Sequence, residues 1–137
     1  MTYEELVRSF EAGREPPGGF QHAELIRVAW WYLRHETLER ALERFKNGLK
    51  HFAAVQNASG LYHETITVAF VLLVNERLDG ELRAGSWEAF AARNPDLFLW
   101  KPSILDRYYN AATLASDRAR RTFIWPDSDR IKHASTG

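Results

Sequence analysis

Cysteine is missing from this chain of 137 residues. Its absence excludes disulfides, thiolate metal sites, iron–sulfur clusters and cysteine nucleophiles. Net charge is missing as well, because 18 basic residues balance 18 acidic ones. No global electrostatic field therefore draws the chain to nucleic acid or to an anionic membrane, and we expect neither as a partner.

Long hydrophobic runs are also lacking. The longest one, Val68 to Val74, covers about a third of the roughly 20 residues that a membrane-spanning helix needs. The first residues do not show the basic and then apolar pattern of a signal sequence. We therefore expect a cytoplasmic protein.

The motifs of several common enzyme classes do not occur. The sequence has no His-Glu-x-x-His zinc motif, no glycine-rich phosphate loop and no Gly-x-Ser-x-Gly nucleophile elbow. The turn near Asn57 is followed by an almost wholly apolar segment, whereas the recognition helix of a helix-turn-helix protein needs a polar, basic face. A motif-defined activity is therefore not predicted.

Helical periodicity dominates what is present. Thr2 and Glu5 have the spacing of a capping box, which predicts a short helix ending near Glu11. Three longer segments place apolar residues three and four positions apart or are apolar on nearly every side, as expected of helices in a bundle core. These segments are residues 21–35, 37–56 and 62–77.

Two further helices are predicted towards the C-terminus. Ser86 is a suitable N-cap for a short helix, and Ser103 with Asp106 forms a second capping box that predicts a helix to about Thr122. We therefore predict an all-α, single-domain antiparallel bundle of about five helices. Three long helices and the C-terminal helix form its core, beside a short N-terminal helix. The domain covers residues 1–127, and residues 128–137 form a polar, mobile tail.

Two histidines are the first candidates for a functional site. His22 and His63 lie near the N-termini of the first and third long helices, which run parallel in an up-down-up arrangement. Both imidazoles share a helix face with apolar residues, so we expect them to meet at one end of the bundle. The positive end of a helix disfavours the imidazolium, so both rings should be neutral.

These histidines predict a small-molecule enzyme or binding protein. His22 and His63 would act as a general acid/base pair, with Glu64 as proton acceptor and Tyr109 orienting the substrate. Alternatively, His22, His63 and Glu64 would hold a divalent metal, although two nitrogen ligands are one short of the usual catalytic zinc set. The reaction type stays open.

The competing interpretation is a non-catalytic interaction module. Five tryptophans in 137 residues is a high content. Exposed aromatic side chains at Trp31, Phe98 and Trp100 would then dock a partner or form a homodimer, and both histidines would be structural. A core histidine bonded to a carbonyl is common, so this alternative stays open for both histidines.

Overall fold

The computed structural model describes residues 2–15, 19–78, 85–99 and 102–128. The regular elements within these residues are α-helices and short 3₁₀ segments, which confirms the all-α class. The α-helices are α1 Tyr3–Glu11, α2 His22–His35, α3 Leu38–Val55, α4 Glu64–Arg77, α5 Trp87–Arg93, α6 Ala111–Leu114 and α7 Asp117–Arg121. The 3₁₀ segments are Ser59–Leu61, Pro95–Phe98 and Ile104–Arg107.

Local caps start three of the predicted helices. The Thr2 hydroxyl accepts a hydrogen bond from the Glu5 amide at 3.1 Å, and the Glu5 carboxylate accepts one from the Thr2 amide at 3.0 Å. The hydroxyls of Thr37 and Ser86 cap α3 and α5 by accepting from the amides three residues on. Each cap satisfies an amide that the first helical turn leaves unpaired, which is why the starts of these helices were predictable.

The bundle core lies between α2, α3 and α4, and α1 packs across α2 and α3. Phe10 of α1 is fully buried and stacks on Phe45 with ring centroids 5.5 Å apart. It can come this close because position 48 is glycine: a Cβ there would lie 2.3 Å from a Phe10 ring carbon. The predicted central helix, α4, is buried on most of its surface.

An aromatic cluster joins α1, α2 and α5. Trp30 is fully buried, and Tyr3 and Trp87 meet its ring edge-to-face at centroid distances of 5.3 and 5.4 Å. Trp87 in turn packs on Phe98 at 5.6 Å. Aromatic pairs in this geometry add to the stability that burial alone provides. Much of the tryptophan content therefore serves the core.

The predicted helix from Ser103 to Thr122 is wrong. The structure has a 3₁₀ segment followed by the two short helices α6 and α7. The Ser103 hydroxyl accepts from the Leu105 amide rather than from Asp106, which favours the tighter 3₁₀ turn. Ser116 then ends the helical run, because its hydroxyl donates to the Thr113 carbonyl and accepts from the amide of Ala119 in α7.

Tertiary contacts with residues 122–128, called here the C-terminal strap, reinforce this break. The carbonyl of Tyr108 accepts hydrogen bonds from the amides of Asp127 and Ser128 at 3.0 and 2.9 Å, so it is not used in a helix. The Asp127 carboxylate accepts from the Asn110 amide and from the Thr113 hydroxyl. The strap thus replaces intrahelical bonds that a continuous helix would have made.

The strap also follows α4. The Thr65 hydroxyl donates to the carbonyl of Thr122 at 2.8 Å and accepts from the amide of Ile124 at 3.1 Å. Ser128, which the sequence assigned to the tail, is buried, with 4% of its surface exposed. The rest of the predicted tail lies outside the described residues. Within those residues, we find no helix that combines the length and apolar character needed to cross a bilayer.

Candidate functional site

His63 is the N-cap of α4. Its Nδ1 accepts a hydrogen bond from the Ile66 amide at 3.1 Å, so this nitrogen carries no proton. Its Nε2 lies 2.8 Å from the carbonyl oxygen of Leu114 and donates to it. Both ring nitrogens are thus used to fix the start of α4 against the end of α6. Metal binding or proton transfer at His63 would have to break one of these bonds.

His22 is the first residue of α2 and lies on the inner side of the bundle. Its Nε2 is 2.8 Å from the Leu97 carbonyl oxygen, and its ring meets Phe70 edge-to-face at 4.7 Å. Burial lowers the pKa of His22, although the bond to Leu97 opposes that effect. The ring lines an apolar cavity of about 90 Å³. The other lining residues are Leu25, Ile26, Ala29, Phe45, Leu49, Ile66, Thr67 and Phe70.

The two histidines that were predicted to meet are held by different contacts. The His22 ring packs on Phe70 and lines a cavity with Ile66 and Thr67, whereas the His63 ring caps the N-terminus of α4. The two imidazoles are bonded to carbonyls of different segments, those of Leu97 and Leu114. Within the described ranges, no three His, Cys, Asp or Glu side chains are grouped closely enough to hold a metal ion. The three-ligand set of His22, His63 and Glu64 is therefore not assembled.

Glu64 lies at the side of the bundle, where it joins α3 to α4. Its carboxylate is 2.6 Å from the Lys46 ammonium and accepts a hydrogen bond of 2.6 Å from the Tyr62 hydroxyl. Burial opposes its ionisation, but the bonds from Lys46 and Tyr62 and the charges of Lys46 and Lys50 outweigh burial. The pKa of Glu64 is consequently below its ordinary value. This environment favours the ionised carboxylate and suits an ion pair better than a proton acceptor.

Tyr109 points inward, as expected for one of the two adjacent tyrosines. Only 3% of its surface is exposed, and its hydroxyl donates to the Ile124 carbonyl at 2.6 Å. Burial and the nearby charge of Asp127 raise the pKa of Tyr109 to about 12. The hydroxyl is therefore neutral near pH 7, and its proton is used to hold the strap.

A second concave region lies between α4 and the strap, and Tyr109 is part of its lining. We call it the Trp125 groove; its volume is about 210 Å³ and its lining is largely apolar. Trp125 forms one wall, with 76% of its surface exposed and its ring edge-to-face with Phe123 at 5.3 Å. The other lining residues are Ala69, Leu72, Leu73, Glu76, Leu105, Tyr108, Tyr109, Phe123 and Pro126.

Comparison with known proteins assigns no activity to either concave region. No protein-family model matches the chain, and no match is found among curated proteins or solved structures. The side chains described above are therefore the basis for a functional proposal. Among the concave regions of the described residues, the His22 cavity and the Trp125 groove have the most apolar linings.

Two of the three aromatic residues that were expected at the surface, Trp31 and Phe98, are only partly exposed. Trp31 is half-buried and stacks on His35 at 4.2 Å, and Phe98 is half-buried against Trp87. Trp100, the third expected member, lies outside the described residues. The large apolar side chains that are exposed in the described part are Val55, Leu61, Leu99 and Trp125. One sequence feature could have indicated that Trp125 is exposed, namely the Trp125-Pro126 pair that follows a run of apolar residues. Proline breaks a helix and keeps the chain extended at this point.

Proposed function

We propose that this protein is a non-catalytic interaction module whose docking site is the Trp125 groove. The observation that carries the proposal is the exposure of Trp125, of which 76% is accessible, directly beside an apolar groove. An indole in water forgoes a large hydrophobic gain, and tryptophan is enriched among the residues that dominate binding at protein interfaces. The groove and its tryptophan together form the pocket and anchor that such interfaces use.

The bonds of the sequence-derived catalytic residues support this choice over an enzyme. His63 uses both ring nitrogens for the backbone, Tyr109 uses its hydroxyl for the strap, and Glu64 is held by Lys46 and Tyr62. A group that acts as an acid, base or nucleophile needs a free position towards substrate. These three side chains instead form bonds that hold the helices and the strap together.

The size of the groove favours a protein partner over a metabolite. Pockets for drug-sized ligands usually measure about 300–1,000 Å³. The Trp125 groove, at about 210 Å³, is smaller and suits one or two side chains. A partner protein that presents an apolar side chain therefore fits the groove better than an enclosed substrate does.

Selection from a displayed peptide library tests the proposal. Peptides that bind the wild-type protein should lose at least tenfold in affinity for Trp125→Ala, because a central aromatic anchor typically contributes about 2 kcal/mol or more. Val55→Ala is the matched control, since Val55 is also an exposed apolar residue, with 52% of its surface accessible. The proposal is overturned if selection yields no binder, or if binders do not distinguish the two variants.

A small-molecule site at the His22 cavity is the second candidate, because the cavity joins one imidazole to an apolar lining. Its volume of about 90 Å³ restricts an occupant to a few heavy atoms. Replacing Ala29, a lining residue, by leucine would fill the cavity, so a fragment that shifts methyl resonances of the wild type should fail to shift those of Ala29→Leu. The related metal hypothesis is checked by plasma mass spectrometry of the wild type and His63→Gln. Stoichiometric zinc, iron, manganese or nickel that is lost in the variant would revive it.

A further inference from the structure

Glu76 gives the Trp125 groove a charge. It is the one acidic or basic side chain among the described residues that line the groove. Within the described part of the chain its carboxylate forms neither an ion pair nor a hydrogen bond. The aromatic residues Tyr108, Phe123 and Trp125 line the same groove. A carboxylate beside aromatic rings favours an apolar partner that also carries a cation.

The same chain exposes a group with that chemistry. Leu61 has 83% of its surface accessible, more than any other large apolar residue in the described part. The Arg120 guanidinium lies next to it, because it donates to the carbonyl of Gly60. Arg120 is exposed and forms no ion pair among the described residues. We call Leu61 and Arg120 the Leu61 knob.

The knob and the groove lie at opposite ends of one seam. Arg120 lies beside Gly60, just before α4 begins, and Thr122 bonds to Thr65 in its first turn. Farther along, Trp125 reaches the last turns of α4 at Leu72 and Glu76. The segment 120–126 therefore follows α4 in the same direction. The groove extends along α4 from Ala69 to Glu76, so the knob lies roughly 10–20 Å from it.

We infer that this seam is the interface of a homodimer, in which the Leu61 knob of each copy enters the Trp125 groove of the other. A two-fold axis across the seam places the α4 helices of the two copies antiparallel. Because a two-fold interface repeats every contact, Leu61 meets Trp125 and Arg120 meets Glu76 twice. The inference rests on the proposed function, since it names a second copy of this chain as the partner of the groove.

Complementarity supports this occupant in two independent ways. The contact would bury both Leu61 and Trp125. These are the two most exposed large apolar side chains of the described part, so the contact would remove both from water. The cation of the knob and the carboxylate of the groove, both without an ion pair among the described residues, would pair.

Sedimentation velocity on the full chain tests the inference. We expect the wild type to pass from monomer to dimer between about 1 µM and 1 mM, the range of weak to moderate specific complexes. Glu76→Arg alone and Arg120→Glu alone should each weaken association by at least tenfold, because each places like charges opposite one another twice. Neither side chain is buried in the core, so circular dichroism should show that both variants fold.

A mixture of the two single variants is the decisive measurement. In the mixed dimer, the arginine introduced at position 76 of one copy faces the glutamate introduced at position 120 of the other. The unchanged Arg120 faces the unchanged Glu76, so both pairs are restored. The mixture should therefore dimerise where neither variant does alone.

Two outcomes overturn the inference. One is a wild type that stays monomeric to about 1 mM, and the other is a mixture of the two variants that stays monomeric. If the wild type is monomeric while selected peptides still require Trp125, the proposed function stands and only the homodimer is rejected.

Discussion

Replacement of His63 separates a structural role from a catalytic one. In the structure the ring caps α4 through the Ile66 amide and holds Leu114 through its carbonyl. Loss of an N-cap costs about 1 kcal/mol, and loss of a neutral hydrogen bond about 1 kcal/mol. We therefore expect His63→Ala to lower the free energy of unfolding by about 2 kcal/mol. For a chain of this length that corresponds to a fall of about 7 °C in Tm.

His63→Asn divides this loss into its two parts. Asparagine is a good N-cap, so it preserves the bond to the Ile66 amide, but it is too short to reach the Leu114 carbonyl as well. We expect this variant to lose about 1 kcal/mol, half as much as the alanine variant. His51→Ala is the control, because His51 is exposed on α3 and the described residues give it no hydrogen bond.

Urea denaturation followed by circular dichroism measures these differences through the midpoint, with the m-value as a check that the unfolded state is unchanged. Wild-type stability in both His63 variants would refute the structural assignment. So would a gain in stability on replacement, since residues that serve activity often cost stability. Equal losses for alanine and asparagine would show that the cap makes no contribution.

Three further perturbations test other parts of the structure. Gly48→Ala should destabilise the protein by about 1–2 kcal/mol in the same urea assay. The reason is that the clash with the buried Phe10 ring costs more than the roughly 1 kcal/mol that alanine gains in helix propensity. A stabilised variant would contradict the close packing of α1 against α3. Tyr109→Phe removes the bond to the Ile124 carbonyl and should cost about 1–2 kcal/mol, with faster amide exchange in the strap; unchanged exchange would show that the bond does not hold the strap. The pKa of His22 is lowered in the folded protein, so the unfolded chain binds a proton more readily than the folded one. The contribution of His22 to stability is therefore complete above pH 6.5, the ordinary pKa of histidine. It falls as the pH drops towards the pKa of the folded protein. His22→Gln should remove that part of the pH dependence of urea midpoints, and an identical profile would argue against burial of this ring.

Local patterns predicted the early helices well. The Thr2 and Glu5 side chains cap α1 as their spacing indicated. The almost wholly apolar segment around Val68 forms a central helix, buried on most of its surface. Such signals depend on residues within one or two helical turns of each other, so they can be recognised in one dimension.

The candidate site was less predictable. His22 does face an apolar cavity, and Tyr109 does point inward, as their positions suggested. The sequence did not indicate that His63 would bind the carbonyl of Leu114, because 51 residues separate the two. It also gave no reason to choose Trp125 as the exposed aromatic residue. Both facts depend on where the C-terminal segment returns.

By itself, then, the sequence determined the all-α class, the starts of several helices and the apolar faces that meet in the core. Tertiary structure alone decided that the segment after Ser103 breaks into short turns, and that the strap lies along α4. The physical reason is competition for backbone groups. The Tyr108 carbonyl can serve a helix or accept the amides of Asp127 and Ser128, and packing of the strap against Thr65 and Tyr109 selects the second arrangement. That selection creates the groove and leaves Trp125 exposed beside it.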